Sequence, residues 1–187
     1  MANEYLVKQG TQFLFADHAT DFGAAPATAG NSKIRGAPTD VQMDLTGVAA
    51  TGGARESAKL DLTATHAPVF DVDACLEFET APADGGAVYF YWANSPSATA
   101  ATGNPGGVTG SDAAFTDTVG NLGQLQRIGF LSLRNNVINI GFVGSFSPRD
   151  RHGTLVIVNQ GSTALRSTAT AMDETHIVFN EGIPELQ

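Results

Sequence analysis

Four carboxylates fall at alternate positions of one ten-residue stretch, FDVDACLEFE, at residues 70–79. Asp71, Asp73, Glu77 and Glu79 share one parity, while Phe70, Val72, Ala74, Leu76 and Phe78 share the other. In a strand, residues two apart point to the same side about 7 Å from one another, a workable separation for the acid pair of a glycosidase. Such a site also needs aromatic rings to hold a sugar, and the chain has a single tryptophan. The competing account, a solvated or interface-facing acidic strand, is the one we carry forward.

Other catalytic patterns are sparse. The histidines, His18, His66, His152 and His176, stand in four separate segments with no H-x-x-x-H or H-E-x-x-H spacing, so a zinc site would need assembly by tertiary folding alone. Asp17-His18 and Asp150 with His152 are local acid–imidazole neighbours, but a catalytic triad is defined by geometry and not by adjacency. No G-x-S-x-G nucleophile elbow occurs; Gly144-Ser145 and Gly110-Ser111-Asp112 leave it incomplete. Cys75 lies on the outward parity of the acidic strand, where Asp73 and Glu77 disfavour a thiolate, so it is read as inert. Asn94, Asn104, Asp112 and Asp117 are oxygen donors without the spacing of a calcium loop. Gly103-Asn104-Pro105-Gly106-Gly107 lacks the Lys-Ser/Thr of a phosphate loop. No catalytic, cofactor or metal residue is assigned.

The aromatic stretch AVYFYWANSPSATAATGNPGGVTGSD, residues 87–112, holds two of the three tyrosines and the tryptophan, then runs into a small-residue loop. Val88, Phe90 and Trp92 share one parity and read as core. Tyr89 and Tyr91 share the other and present rings and hydroxyls at a partly wet surface. Tyrosine is enriched at protein interfaces, so Tyr89 and Tyr91 are expected to contact another subunit; sugar stacking, with the 94–118 loop as part of the site, is the alternative.

The elements that would position these residues are strands. Alternation recurs at residues 41–45, 60–64, 87–93, 128–133, 137–142, 154–159 and 176–180, bounded by Gly, Asn, Asp and Pro turn signals. Hairpin turns are expected at Arg134-Asn135-Asn136-Val137 and, joining 70–80 to 87–93, at Asp84-Gly85-Gly86. One helical turn or two is conceivable at residues 117–127, weakened by Gly120 and Gly123. Eight to ten strands are expected, all-β, in an antiparallel β-sandwich of the jelly-roll type, with a closed barrel as runner-up. Residues 41–187 would form the sandwich. Residues 1–40, rich in Ala, Gly and Pro after residue 20, read as an extended N-terminal arm or linker whose apolar anchor is Phe13, Leu14 and Phe15.

The chain has 187 residues, enough for one domain with a sizeable core, and only 16% are charged against a usual quarter. Its net charge is −9 with no run of Lys or Arg, which argues against nucleic acid and anionic membrane surfaces as partners. One cysteine precludes an intrachain disulfide, and the opening MANEYLVKQGTQFLF lacks the form of a signal peptide. Synthesis in a cytoplasm follows as the expectation.

The plain start MANEYLVKQGTQF, the pair VDACLEFETAPADGGAVYFYWANSPS and the closing RHGTLVIVNQGSTAL and THIVFNEGIPELQ together resemble small structural proteins of tailed bacteriophages, of the jelly-roll kind that decorate capsids or form tail and fibre parts. The resemblance is one of style across most of the chain, with no motif from which a functional residue can be transferred. It implies a non-enzymatic virion protein made in the host cytoplasm, most simply a capsid decoration protein that assembles through its sandwich and arm. It implies other virion proteins and further copies of itself as partners, and no cofactor. A tail or baseplate component that binds a host glycan is the alternative.

Overall fold

The computed structural model describes residues 5–17, 32–116, 120–167 and 175–186. Its strands are β1 (Tyr5–Ala16), β2 (Thr39–Gln42), β3 (Gly53–Glu56), β4 (Leu60–Asp61), β5 (Val69–Glu77), β6 (Ala87–Ser95), β7 (Ala113–Ala114), β8 (Gln126–Ser132), β9 (Ile138–Phe146), β10 (His152–Asn159) and β11 (His176–Leu186). They form two sheets of order β2-β1-β11-β5-β9 and β7-β3-β10-β6-β8, with β4 also pairing β10. Every ladder between these strands is antiparallel except β1–β2. From β4 onward the chain passes repeatedly between sheets, so β1-β11-β5-β9 faces β3-β10-β6-β8 in the winding of a jelly roll, as the alternating sequence leads one to expect.

The period-two pattern works because one parity of each strand meets the opposite sheet. Phe13 and Phe15 of β1, Phe70 of β5, Phe146 of β9 and Phe179 of β11 converge on Trp92 of β6. Trp92 lies 5.5 Å from both Phe146 and Phe179, and Phe15 lies 4.6 Å from Phe179, ring centre to ring centre. Each such ring contributes on the order of 2 kcal/mol by leaving water.

The N-terminal arm is corrected by this arrangement. β1 is the second strand of its sheet, paired with β11 along nearly its whole length, so the sandwich does not begin at residue 41. Phe13, Leu14 and Phe15 are 2%, 4% and 0% exposed and are not free to reach a neighbour. The alternation Phe13/Phe15 is a core parity like any other; the Ala/Gly/Pro-rich residues after it obscured that. Of the remaining arm, residues 18–31 lie outside the described residues, and 32–35 return across the outer face of the chain's own sheet. There the Lys33 N–H donates to His176 Nε2 (3.0 Å), and Gln12 joins both sides, donating to Lys33 O (3.0 Å) and accepting from Arg35 N–H (2.7 Å).

Both expected hairpins are also corrected. β5 and β6 belong to opposite sheets, as do β8 and β9, so the turns at residues 84–86 and 134–137 carry the chain across the sandwich. Alternation fixes which parity is buried, not which strand lies beside it. The 134–137 corner is held by Asn139, whose amide accepts from Arg134 N–H (2.8 Å) and donates to Asn136 O (2.7 Å). In place of the helical candidate stands a single 3-10 turn, Leu122–Gln124; residues 117–119, including the calcium candidate Asp117, lie outside the described residues.

Candidate functional site

Tyr89 and Tyr91 do sit on the outer parity of β6, each partly buried, while Val88, Phe90 and Trp92 are fully buried. Their surroundings differ. Tyr91 packs under the long loop, against a small second core of Ala93, Val108, Phe115, Leu125 and Val156. Tyr89 lies beyond that cover: its ring is 6.0 Å from Phe130, and the Arg127 guanidinium stands 5.0 Å over its face. The two tyrosines therefore do not form one platform.

The loop after β6 is bolted down at three points. The Lys59 ammonium donates to Ser95 Oγ (2.9 Å) and to the carbonyls of Ser97 (3.1 Å), Thr99 (2.7 Å) and Thr102 (2.9 Å). Burial pulls that ammonium below its ordinary value. Glu56, 1% exposed, accepts from Thr109 N–H (2.9 Å) and Thr109 Oγ1 (2.5 Å). Burial raises its carboxyl above the usual range, against the opposing pull of these bonds, of Gly110 N–H and of Arg55. Asp112 accepts from Arg55 Nε (2.8 Å) and Nη2 (2.5 Å).

These anchors account for the calcium and phosphate look-alikes. Asp112 is committed to Arg55, and Asn94 accepts from Arg149 N–H (2.7 Å) while donating to Gln126 (3.0 Å). Asn104 donates to Ala100 O (2.5 Å). Gly106 lies where a Cβ would come within 2.7 Å of Asn121 O, so close approach between loop segments explains this glycine. Among the described residues no three His, Cys, Asp or Glu side chains gather as a metal site.

The acidic face of β5 is dispersed in the same manner. Asp71 accepts from Ser145 Oγ (2.5 Å), and Asp73 accepts from Asn180 Nδ2 (3.1 Å) and faces Lys33 Nζ (3.6 Å). Glu77, 6% exposed, accepts from Arg166 Nη1 (2.5 Å). The Ser167 hydroxyl and N–H hold Glu79 below the usual carboxylate range. No two of the four acids share one of these partners, and Cys75 between them is buried. Near β10, Arg151 grips Asp61 through two 2.7 Å bonds, while His152 Nε2 stands 3.7 Å from the same carboxylate. Arg151 foremost, with help from Thr63 N–H and His152, brings the Asp61 carboxyl down to about 2. His18, the other acid neighbour, lies outside the described residues. Two open clefts, of about 380 and 500 Å³, lie beside Gln12–Arg35–Glu181 and beside Val48–Arg55–Phe115, away from Tyr89.

Strand alternation alone did not single out the most exposed apolar feature. The large hydrophobics exposed among the described residues are Phe142 (60%), Phe130 (48%), Val69 (40%) and Ile140 (40%). β8 and β9 close the same side of the sandwich. A Cβ on Gly129 would meet Val143 O at 2.1 Å, one on Gly144 would meet Ile128 O at 2.6 Å, and one on Gly141 would meet Leu131 Cδ1 at 3.3 Å. These glycines share the inner parity of their strands, so β8 and β9 meet through their inner faces; Phe130 stays on the outer face of one sheet beside Tyr89, while Phe142 and Ile140, opposite Asp73 and Cys75, lie together on the outer face of the other. The glycines at residues 129, 141 and 144 were the available sequence signal, since strand glycines mark close backbone approach. β9, INIGFVGSF, carries no charge at all. Comparison with protein-family models, with curated proteins and with solved structures gave no match.

Proposed function

We propose that the chain is a non-enzymatic structural protein of a bacteriophage virion, a capsid decoration subunit that works by packing against other subunits. The observation that carries this reading is the exposed apolar face of the edge strand β9, where Phe142 and Ile140 stand side by side 60% and 40% exposed. Contiguous exposed apolar patches mark interaction surfaces, and jelly rolls serve in capsid shells among other roles. The low charge content supports the same reading, since a subunit that is covered by neighbours needs fewer charged side chains for solubility. Mass spectrometry of density-banded particles, from cells that carry the gene, tests it. The expected result is the chain at a fixed, high ratio to the major shell protein. Absence from banded particles would overturn the proposal.

Tyr89 favours a second reading, a tail or baseplate component that recognises a host glycan, because its ring is partly exposed beside Phe130. Arg127 already covers one face of that ring, so a sugar would have to displace it. Recovery of the chain at a few copies per particle, together with glycan-array binding lost in Tyr89→Ala, would replace the first reading with this one.

A further inference from the structure

We infer that the outer face of β6 and β8 binds a carboxylated sugar, with Arg127 taking the carboxylate and the Phe130 ring packing against the sugar ring. This gives the glycan reading its ligand class and rests on that reading; the assembly reading stands apart from it. The residues concerned share one surface. Tyr89 lies directly opposite Phe130 in the β6–β8 ladder, and Arg127 lies opposite Tyr91. The register slips between Phe90 and Tyr91, which lets Arg127 and Phe130 face the same way although they stand three apart. Distances close the group. The Tyr89 and Phe130 ring centres are 6.0 Å apart, and the Arg127 guanidinium is 5.0 Å from the first and 5.9 Å from the second. Phe130 is 48% exposed, and Arg127 and Ser132 are exposed on the same face of β8.

A guanidinium stacked on an aromatic ring uses its flat face and keeps its N–H edges free, because those donors lie in its plane. Arg127 makes no hydrogen bond or ion pair among the described residues. Arg55, Arg151 and Arg166, by contrast, each hold a carboxylate of the chain itself. The fork that those three close internally is therefore open on Arg127 and already oriented by Tyr89. Charge complementarity makes its ligand an anion, and the fork's two parallel donors match a carboxylate. The neighbours of the fork say what carries that carboxylate. Phe130 offers an exposed ring to the C–H face of a sugar, and Ser132 offers a hydroxyl beside it. A neutral sugar seeking the Tyr89 face would have to displace Arg127, whereas an acidic sugar keeps Arg127 in place and uses it. The net charge of −9 opposes ligands with many acids, so one carboxylate beside one ring is the form that fits.

The test is an amide NMR titration of the purified full chain with two probes, sialyllactose and a xylotriose bearing one glucuronate. Each is run beside its methyl ester, which keeps the sugar and removes the charge. At least one acid should bind with a Kd of about 1 mM or tighter, shifting residues 89 and 127–132, and its ester should bind at least about tenfold more weakly. Arg127→Lys keeps the charge and loses the fork, and should weaken binding at least about fivefold. Phe130→Ser should do the same at the wild-type Tm. A blocked Gly-Glu-Gly peptide, which has the carboxylate without the ring, should bind at least about fivefold more weakly than the sugar. An ester that binds as well as its acid would overturn the inference and leave the glycan reading standing. A peptide that binds as tightly as the sugars would show a fork open to any carboxylate, and would overturn it too. Absence of binding by both acids up to about 10 mM would overturn the inference together with the glycan reading, while particle composition still decides the assembly reading.

Discussion

Glu56 shows how a single buried carboxyl ties stability to pH. Burial raises it, and the Thr109 hydroxyl and N–H only partly offset that. A carboxyl raised on folding carries no penalty below the usual carboxylate range, where both states are protonated. As pH climbs through the raised value, ionising the folded state becomes more costly than ionising the unfolded chain, and stability falls. Glu56→Gln removes this dependence, so its Tm relative to wild type should improve by about 2–4 °C between pH 4 and pH 7. Asp61 behaves in the opposite sense. Its carboxyl, held at about 2 chiefly by Arg151, contributes stability above its ordinary 3.8 and loses it as pH falls through about 2. In Arg151→Ala a carboxyl NMR titration should find Asp61 raised toward 3.8, with little change in Tm because the pair is exposed.

Between elements, close approach and cover decide more than propensity. Gly153 of β10 lies where a Cβ would be 2.3 Å from two ring atoms of Trp92, so Gly153→Ala should destabilise the fold by about 1–3 kcal/mol, read from chemical denaturation. Lys59 acts on the loop instead. Lys59→Met removes the donor shared by Ser95, Ser97, Thr99 and Thr102, and hydrogen exchange should rise at residues 97–103 while β5 and β10 stay protected. These features explain what was legible in the sequence. The alternation in residues 70–79 and 87–93 identifies strands and buried parity correctly, because parity follows from one strand's own geometry. Partner choice does not, which is why β5–β6 and β8–β9 read as hairpins yet join different sheets. Cys75, Glu77 and Leu14 escape the simple in–out rule. Their parity points outward, yet they are buried on a face that the chain partly covers with its own residues 32–35 and with Arg166. Tyr91 is partly covered for a similar reason: the small-residue loop after β6 is fastened over it.

At the scale of the molecule, β1 and β11, the first and last of the described strands, pair with each other inside one sheet, so that sheet is complete only when residues 5–16 and 176–186 are both in place. Many groups that could do chemistry are engaged in holding loops and corners, while Phe142 and Ile140 of the uncharged strand β9 face out. The proposed role, a subunit that acts by contact, makes use of that division of surface. The most direct test is to add the purified chain to particles from a strain in which its gene is deleted, and to count bound copies by quantitative mass spectrometry. The account predicts saturable binding at a fixed number of copies per capsid, lost in Phe142→Asp. Failure of the folded wild-type chain to bind those particles would contradict it.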